Sequence, residues 1–410
     1  MKLRSERPPA MPAILFAIFI DLLGFGIIVP ILPFLVGPYA GTVTVGGMVL
    51  DEATLGAALF SIYSLTAFAA GPLWGRLSDR IGRRPALAAT FIGAMVSYVI
   101  LAFSDSLLML FLARAFSGAM AGNVGIAMAA MADLTDESNR GRAMGLIGAV
   151  FGLGFAFGPL VGGQLSHLSS ASGGSAILLP GLVAASLSLI AAFMAYRFIS
   201  ETNSDESETE TSHVSVRPPW STFLKTPAQL ALFSMFIVTS AGQIMAFTIM
   251  PFWTKDLLFW SQQEVGNLMG AIGLCIAAIQ SLATGPLFKS IGELKSLVLG
   301  GSIHFIGCLV IIFGTPSFTV ALIAFPLIMS GMTISFPALN SLLSRRTDRH
   351  HQGAALGLSS GISALGRVAG PLAAGLLYTK EAPEPLFYAI AVTSCLLLAW
   401  SFWELRKPAA

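Results

Sequence analysis

The stretch Gly71-Pro72-Leu73-Trp74-Gly75-Arg76-Leu77-Ser78-Asp79-Arg80-Ile81-Gly82-Arg83-Arg84-Pro85 decides the fold. It links two apolar runs, near 52–77 and 86–103, each long enough to cross a bilayer. Arg76, Arg80, Arg83 and Arg84 crowd the turn between them. Clustered arginine beside a span marks its cytoplasmic side. Gly75 allows a second helix to approach closely, and Gly82 allows a tight turn. The stretch reads as a short, strongly cationic hairpin between two membrane helices.

The rest of the chain agrees with that environment. Of 410 residues, 55% are hydrophobic and 11% charged. Soluble domains carry about 25% charged residues, so the bilayer must supply most of the solvent. The net charge of +2 gives no global attraction to nucleic acid. The three cysteines, Cys275, Cys308 and Cys395, lie in apolar runs without metal-ligand spacing and read as small core residues. The first apolar run, Met11 to Val36, is too long for the core of a cleavable signal peptide.

Spans are expected near 11–36, 52–77, 86–103, 107–132, 141–165, 177–199, 228–254, 264–288, 295–313, 317–343, 353–378 and 386–404. This predicts an all-α membrane protein with 12 transmembrane helices, numbered here as spans 1 to 12. Basic residues alternate with the loops. Lys2, Arg4 and Arg7 precede span 1; Arg140 and Arg142 lie between spans 4 and 5; Arg197, Arg217 and Lys225 flank the middle. Lys289, Lys295, Arg345, Arg346, Arg349, Arg406 and Lys407 continue the series, whereas the opposite loops hold only Lys255 and Lys380. Both termini are therefore expected in the cytoplasm.

The chain also repeats itself. Gly71-Pro72-Leu73 is echoed by Gly285-Pro286-Leu287, and Gly158-Pro159-Leu160 by Gly370-Pro371-Leu372, at nearly equal separations. Thr135-Asp136 is likewise matched by Thr347-Asp348. Between the copies, residues 200–226 hold Glu201, Asp205, Glu206, Glu208, Glu210, Pro218 and Pro219 among Ser and Thr. That composition is a polar linker. The expected organisation is a six-helix half (1–199), the linker (200–226) and a second half (227–410). Repeated halves suit a transporter with a midplane site that opens to either side.

On these residues the chain resembles the major facilitator superfamily, whose 2–3 loop reads G-x-x-x-D-R-x-G-R-R. The resemblance implies the major facilitator fold of two pseudo-symmetric halves and a conformational latch formed by Gly75, Asp79, Arg80, Gly82, Arg83, Arg84 and Asp133. Asp79 is expected to face the N-terminus of span 11, and Arg83 to pair with Asp133 at the end of span 4. The second copy (Gly285 to Gly292) lacks the Arg-Arg-Pro tail, so the latch is expected to be asymmetric. A basic loop that only sets topology is the alternative.

Span 5 reads Gly148-Ala149-Val150-Phe151-Gly152-Leu153-Gly154-Phe155-Ala156-Phe157-Gly158-Pro159-Leu160-Val161-Gly162-Gly163. Its small residues permit backbone contact between helices, and Pro159 removes a helix hydrogen bond. Gly154, Gly158, Pro159, Gly162 and Gly163 resemble the helix-bending motif of proton-coupled drug antiporters within the superfamily. Span 1, with Asp21, Gly24, Gly26, Pro30 and Pro33, resembles that of twelve-helix drug and tetracycline exporters.

A charged Asp at the bilayer centre costs about 2.5–3.5 kcal/mol. Asp21 is therefore a candidate for reversible protonation or for a cationic cargo, with a structural hydrogen bond as the alternative. The family pattern places a proton-coupling arginine at Arg114, and a buried guanidinium needs an anion or several carbonyls. Asp21 is the expected partner, directly or through water, with a purely structural arginine as the alternative. Asn123, Gln243, Phe247, Gln280, His304, Asn340 and Arg367 are candidates for the cargo cavity. Arg367 is a candidate to meet an anionic group of the cargo, and His304 one to titrate near neutral pH, although a lone His is more often a satisfied core residue. Phe252, Trp253 and Phe336 are further aromatic candidates.

The family's other polar groups are missing. The resemblance places an acid where Ser97 stands, a His near Ile276 and an acid near His304. The scaffold is retained without those charges, so a lipophilic drug or an exported metabolite is expected rather than tetracycline. The expected function is proton-coupled export of a small compound by a monomer, with the proton gradient as energy source and no cofactor or metal. An importer on the same fold and a non-transporting membrane sensor remain alternatives. No nucleophile triad, metal cluster or nucleotide loop marks an enzyme or an ATP-driven pump.

Overall fold

The computed structural model describes residues 10–135, 137–199, 223–348 and 351–407. Lys2, Arg4, Arg7, Asp136, Arg349 and the linker residues 200–222 lie outside the described residues, as do the side chains of Arg140 and Arg142.

Helices dominate, for the reason the composition gives. Lipid offers backbone groups no hydrogen bonds, so each span must satisfy its own. Spans 2, 3, 5 and 6 are the helices Glu52–Ile81, Arg83–Ala102, Glu137–Ala171 and Leu178–Phe198. Spans 7, 10, 11 and 12 are Pro227–Leu258, Phe318–Arg345, Gln352–Leu377 and Glu384–Leu405. Spans 8 and 9 form one helical run of 52 residues, Gln262–Phe313, that turns back at Gly292. Counted on either side of that turn, the spans among the described residues number twelve.

Gly292 and its counterpart Gly82 make the same turn. Their φ values of 78° and 96° are open to glycine and strained for other residues. Span 2 therefore stays helical through Ile81, and the connection to span 3 is Gly82 alone. Polar caps start several spans: Asp51 accepts from Thr54 N, Ser106 from Met109 N, and Ser261 and Glu264 form a capping box.

Three spans depart from simple helices. Span 1 passes through a 3-10 turn at Val29–Ile31 beside Pro30. Span 4 is two helices, Leu107–Ala119 and Asn123–Asp133, with a break at residues 120–122. Span 8 contains a π-helical turn at Ile279–Ala283. The loop after span 1 adds a small hairpin, Thr44–Val45 with Met48–Val49, turning on Gly46 and Gly47. Sequence periodicity marks none of these features.

The core has a telling distribution. One cluster draws on both halves, including Leu32, Phe60, Phe252, Trp253, Val265 and Phe387. A second lies wholly in the first half, with Ile18, Phe91 and Met131. A third lies wholly in the second, with Phe236, Leu339 and Trp400. The shared cluster is at the end away from the arginine-rich turn, and the two private ones are at the arginine-rich end. The halves are fused at one end and parted at the other.

Contacts between spans 2 and 11 show the same division. Thr54 Oγ1 donates to the Gly375 carbonyl at 3.0 Å, and Ser61 Oγ to the Val368 carbonyl at 2.9 Å. Nearer the arginine-rich end, Gly71 and Gly75 of span 2 and Gly353, Gly357 and Gly361 of span 11 face open space. Spans 5 and 8 form the other seam. A Cβ on Gly163 would lie 2.4 Å from the Gln262 carbonyl oxygen, and one on Gly266 would lie 2.5 Å from that of Pro159.

Span 5 uses its small residues on two faces. A Cβ on Gly158 would lie 2.7 Å from Gly26 Cα, and one on Gly162 would lie 2.1 Å from the Ile27 carbonyl oxygen, both on span 1. Gly154 meets Leu22 of that span. Gly152, Ala156 and Gly163 instead meet span 8 of the other half. The expected bending motif thus packs one half and joins the two. Pro159 is accommodated inside the continuous helix Glu137–Ala171.

Of the cysteines, only Cys308 is buried; Cys275 and Cys395 are exposed, which corrects their assignment to the core.

Candidate functional site

The parted ends enclose a cleft that narrows toward the shared core. Asp21 is half-buried in span 1, with the Asn123 side chain near it. Asn123 stands at the start of the second helix of span 4, just after the break. Its Oδ1 also accepts from Val124 N at 2.9 Å. A broken span at midmembrane is a common setting for polar sites, because freed backbone groups line the cavity.

Arg114 lies in the first helix of span 4 and is 2% exposed. It does not form the expected ion pair with Asp21. Its guanidinium stacks 4.6 Å from the Tyr63 ring centroid and 5.9 Å from that of Phe25. Nε and Nη2 are buried and unpartnered. Aromatic rings take the place of a carboxylate around it. Tyr98 packs across Gly24, one turn from Asp21, and both Tyr63 and Tyr98 lie within electrostatic reach of Asp21 and of Arg114. Ser97 sits beside this group, but its hydroxyl donates to the Ala113 carbonyl at 2.9 Å.

Above the charged group runs an aromatic seam. Phe25 meets Tyr63 at 5.3 Å and Phe155 at 6.2 Å between centroids. Phe247 of the second half meets Phe155 at 6.1 Å and Phe60 at 6.3 Å. Four spans from both halves therefore share one apolar ceiling. Gln243 lies one helical turn from Phe247 on the same face of span 7 and is half-buried. Arg367 of span 11 is exposed and within electrostatic reach of Tyr63.

The remaining cavity candidates have other surroundings. His304 is fully buried between spans 9 and 10, and its Nδ1–H donates to the Ile328 carbonyl at 2.8 Å. Asn340 donates to the Phe336 carbonyl at 3.1 Å and accepts from Ser359 on span 11. Both are tied to neighbouring helices rather than to the cleft. Gln280 is exposed within the π-helical turn of span 8. Phe252 and Trp253 belong to the shared core, and Phe336 packs on Phe236 inside the second half.

At the arginine-rich turn, Arg83 bonds Asp79 at 2.6 Å and Ser78 Oγ at 2.6 Å, and reaches Asp133 at 3.3 Å. Asp133 belongs to span 4 of the same half, so this pair braces one half and does not bridge the two. Asp79 faces solvent rather than span 11, in keeping with the parted ends. Arg80 is exposed, and Arg84 stacks on the Tyr196 ring at 4.2 Å. The second half has its own brace with the charges reversed. Glu293, just after Gly292, binds Arg345 at 3.0 Å and accepts from Ser341 at 2.9 Å. The lost Arg-Arg-Pro tail is therefore compensated.

The sequence did not flag the polar cluster at the closed end. Lys255 of span 7 pairs with Glu52 of span 2 and approaches the Pro33 carbonyl of span 1 at 3.4 Å. Tyr378 at the end of span 11 donates to Asp256 at 3.1 Å. Lys255 was visible only as a topology marker.

Known proteins place this architecture. The family model for the Major Facilitator Superfamily matches residues 14–371 and also 243–410. The chain is 32% identical over 375 residues to the class G tetracycline resistance protein of Vibrio anguillarum, covering 90% of each. It is 30% identical to the class B tetracycline resistance protein of Escherichia coli, covering 89% of this chain and 87% of that one. The fold superposes with TM-score 0.77 on a bacterial homologue of the human lysosomal transporter Spinster in an inward-facing, occupied conformation. That pair shares 14% identity, over 97% of this chain and 98% of the other. The twelve spans, the paired halves and the 2–3 turn thus have one common explanation: this chain is a member of the Major Facilitator Superfamily, a multi-pass membrane transporter.

Proposed function

We propose that the protein is a proton-coupled exporter of a small lipophilic compound, a drug or a metabolite, working by alternating access. One observation carries this reading. Asp21, Arg114 and Arg367 gather around Tyr63 beneath an aromatic ceiling, in a cleft open at one end and sealed by both halves at the other. Similarity to tetracycline resistance proteins over nine-tenths of the chain supports export as the direction.

The arginine-rich face is taken as cytoplasmic, with both termini inside, so the open cleft faces inward. Cargo enters from the cytoplasm or inner leaflet and rests against the aromatic ceiling. Asp21 carries the exchanged proton, and Arg114 holds its charge nearby across Tyr63 and Tyr98. When the seams of spans 2 and 11 and of spans 5 and 8 open, the arginine-rich ends close. Gly71 and Gly75 then receive span 11, and Asp79 meets its N-terminus. The latch residues act in that closed-inside state, with the Arg83–Asp133 brace keeping the first half rigid. The proton gradient supplies the energy without a cofactor or metal, and the monomer is the working unit. The two halves are taken to join through 200–226. No chemical transformation of the cargo is invoked.

Purified protein in liposomes, given an imposed pH gradient and a compound panel, tests the proposal. Cargo should accumulate on the acidic side, opposite the compartment that Arg83 faces. Accumulation in the opposite sense would favour an importer, and absence of flux for the whole panel would favour a sensor.

A further inference from the structure

Arg367 occupies an unusual position. At 100° per residue, its side of span 11 also carries Gly353, Gly357 and Ser360, all exposed toward the open end. Farther along the same side, Pro371 and Ala374 are buried toward the closed end. The opposite side carries Leu365, Ala369, Leu372 and Leu376, an exposed apolar strip suited to lipid. Arg367 is therefore exposed to the cleft and not to the bilayer. Its neighbours pin it there. Gly366 abuts Ser240 and the Ile237 carbonyl of span 7, and the Val368 carbonyl accepts from Ser61 of span 2. The guanidinium sits at the level where the halves begin to part, with Tyr63 of the other half in electrostatic reach.

Among the described residues, Arg367 takes part in no ion pair or hydrogen bond. Its own half offers no acid at that depth: each of its acids, from Asp256 to Glu404, stands at or near a span end. Across the cleft, Arg114 has two buried nitrogens without partners. The cleft thus holds two guanidiniums against one carboxylate. Water compensates Arg367 while the cleft is open. Alternating access passes through a stage closed at both ends, and there an unpaired guanidinium is strongly penalised.

We infer that Arg367 and Tyr63 form an anion-binding subsite, and that the cargo is an amphipathic organic anion, best a carboxylate on an aromatic body. This inference rests on the transporter reading above. The carboxylate takes the two-pronged guanidinium of Arg367 and a hydroxyl donated by Tyr63. The aromatic body lies under Phe25, Phe155 and Phe247. Bound cargo supplies the counter-charge that lets the cleft dehydrate. A cationic cargo would add a third positive charge to the same space.

The test is equilibrium binding to the full-length purified protein, without any gradient. Several biphenyl and naphthyl scaffolds are compared, each as the carboxylate, the neutral amide and the aminomethyl cation. The carboxylate should bind about tenfold or more tightly than its two matched forms. Arg367→Gln should erase that preference, Arg367→Lys should keep part of it, and Tyr63→Phe should weaken the carboxylate alone by a few-fold. Equal or better binding of the amine or amide overturns the inference, as does a carboxylate preference that survives Arg367→Gln. Failure of all three forms to bind also overturns it. Should Arg367→Gln misfold, Tyr63→Phe still decides. Proton-driven flux of a cation, with no carboxylate binding, would sink this inference while leaving the export proposal standing.

Discussion

In the proposed site, Asp21, Arg114 and Arg367 differ in their surroundings. Asp21 is half-buried in span 1, and its proposed role requires it to exchange a proton with water in the cleft. Asp21→Asn should abolish cargo accumulation driven by a pH gradient while changing equilibrium cargo binding by less than about fivefold. Retained gradient-driven flux in liposomes would remove Asp21 from the coupling step. Arg114 is held by two aromatic faces, a geometry that suits a planar guanidinium better than an ammonium. Arg114→Lys should lower the flux about tenfold or more even though the charge is kept; near-normal flux would show that charge alone matters. The embedded charges were legible in sequence because they interrupt apolar runs. Tyr63 and Tyr98 were not, since a tyrosine in a span reads equally as core. His304 takes the core alternative, bonded to a backbone carbonyl of span 10, while Asn340 bonds a carbonyl of its own helix and Ser359 of span 11; no sequence pattern reveals such partners.

At the scale of elements, span 5 separates two jobs by face. Gly158 and Gly162 let it touch span 1 within the first half, whereas Gly163 lets it touch span 8 across the seam. Gly162→Ala would push a methyl to within 2.1 Å of a backbone carbonyl oxygen. Such overpacking costs about 1–3 kcal/mol, and the purified protein should melt at a clearly lower temperature. Gly266→Ala strains only the seam that is closed in this conformation. It should leave the melting temperature closer to normal and shift the population toward the state in which that seam is open. Spin labels at Leu77 and Ser360 would report the shift as a shortened distance across the arginine-rich end. An unchanged distance distribution would mean that the seam yields without cost. The sequence showed the density of small residues and the proline, but not which face met which neighbour. It also missed the break in span 4 and the π-helical turn in span 8, because both lie inside uninterrupted apolar runs.

For the whole molecule, the decisive feature is one shared core and two private ones. The Lys255–Glu52 pair seals the shared end between spans of different halves. Glu52→Gln should weaken the seal by roughly 1 kcal/mol, about a fivefold change in the balance of states. The same spin-label pair would detect it, and no change would assign the seal to apolar contacts alone. If the cargo is a monoanion exchanged for one proton, each turnover moves two elementary charges. A 100 mV potential, negative inside, would then contribute about 4.6 kcal/mol. Export into liposomes should respond to an imposed potassium potential at constant pH, and indifference to voltage would argue against that exchange.

The chain by itself determined the membrane class, the twelve spans and their twofold repetition. These depend on local quantities: the length of apolar runs and the echo of Gly-Pro pairs. It also exposed Asp21, Arg114 and Arg367, since charge inside a bilayer is costly wherever it stands. Only the tertiary structure decided that Arg114 rests on Tyr63 and Phe25 rather than in an ion pair with Asp21, and that Arg367 turns toward the cleft. It alone showed a charge-reversed brace in the second half and a seal at the end opposite the arginine-rich turn. Each of those depends on contacts between spans far apart in sequence, and on which of two ends is closed. A single sequence supports both ends being open in turn, so the closed one is a property of packing.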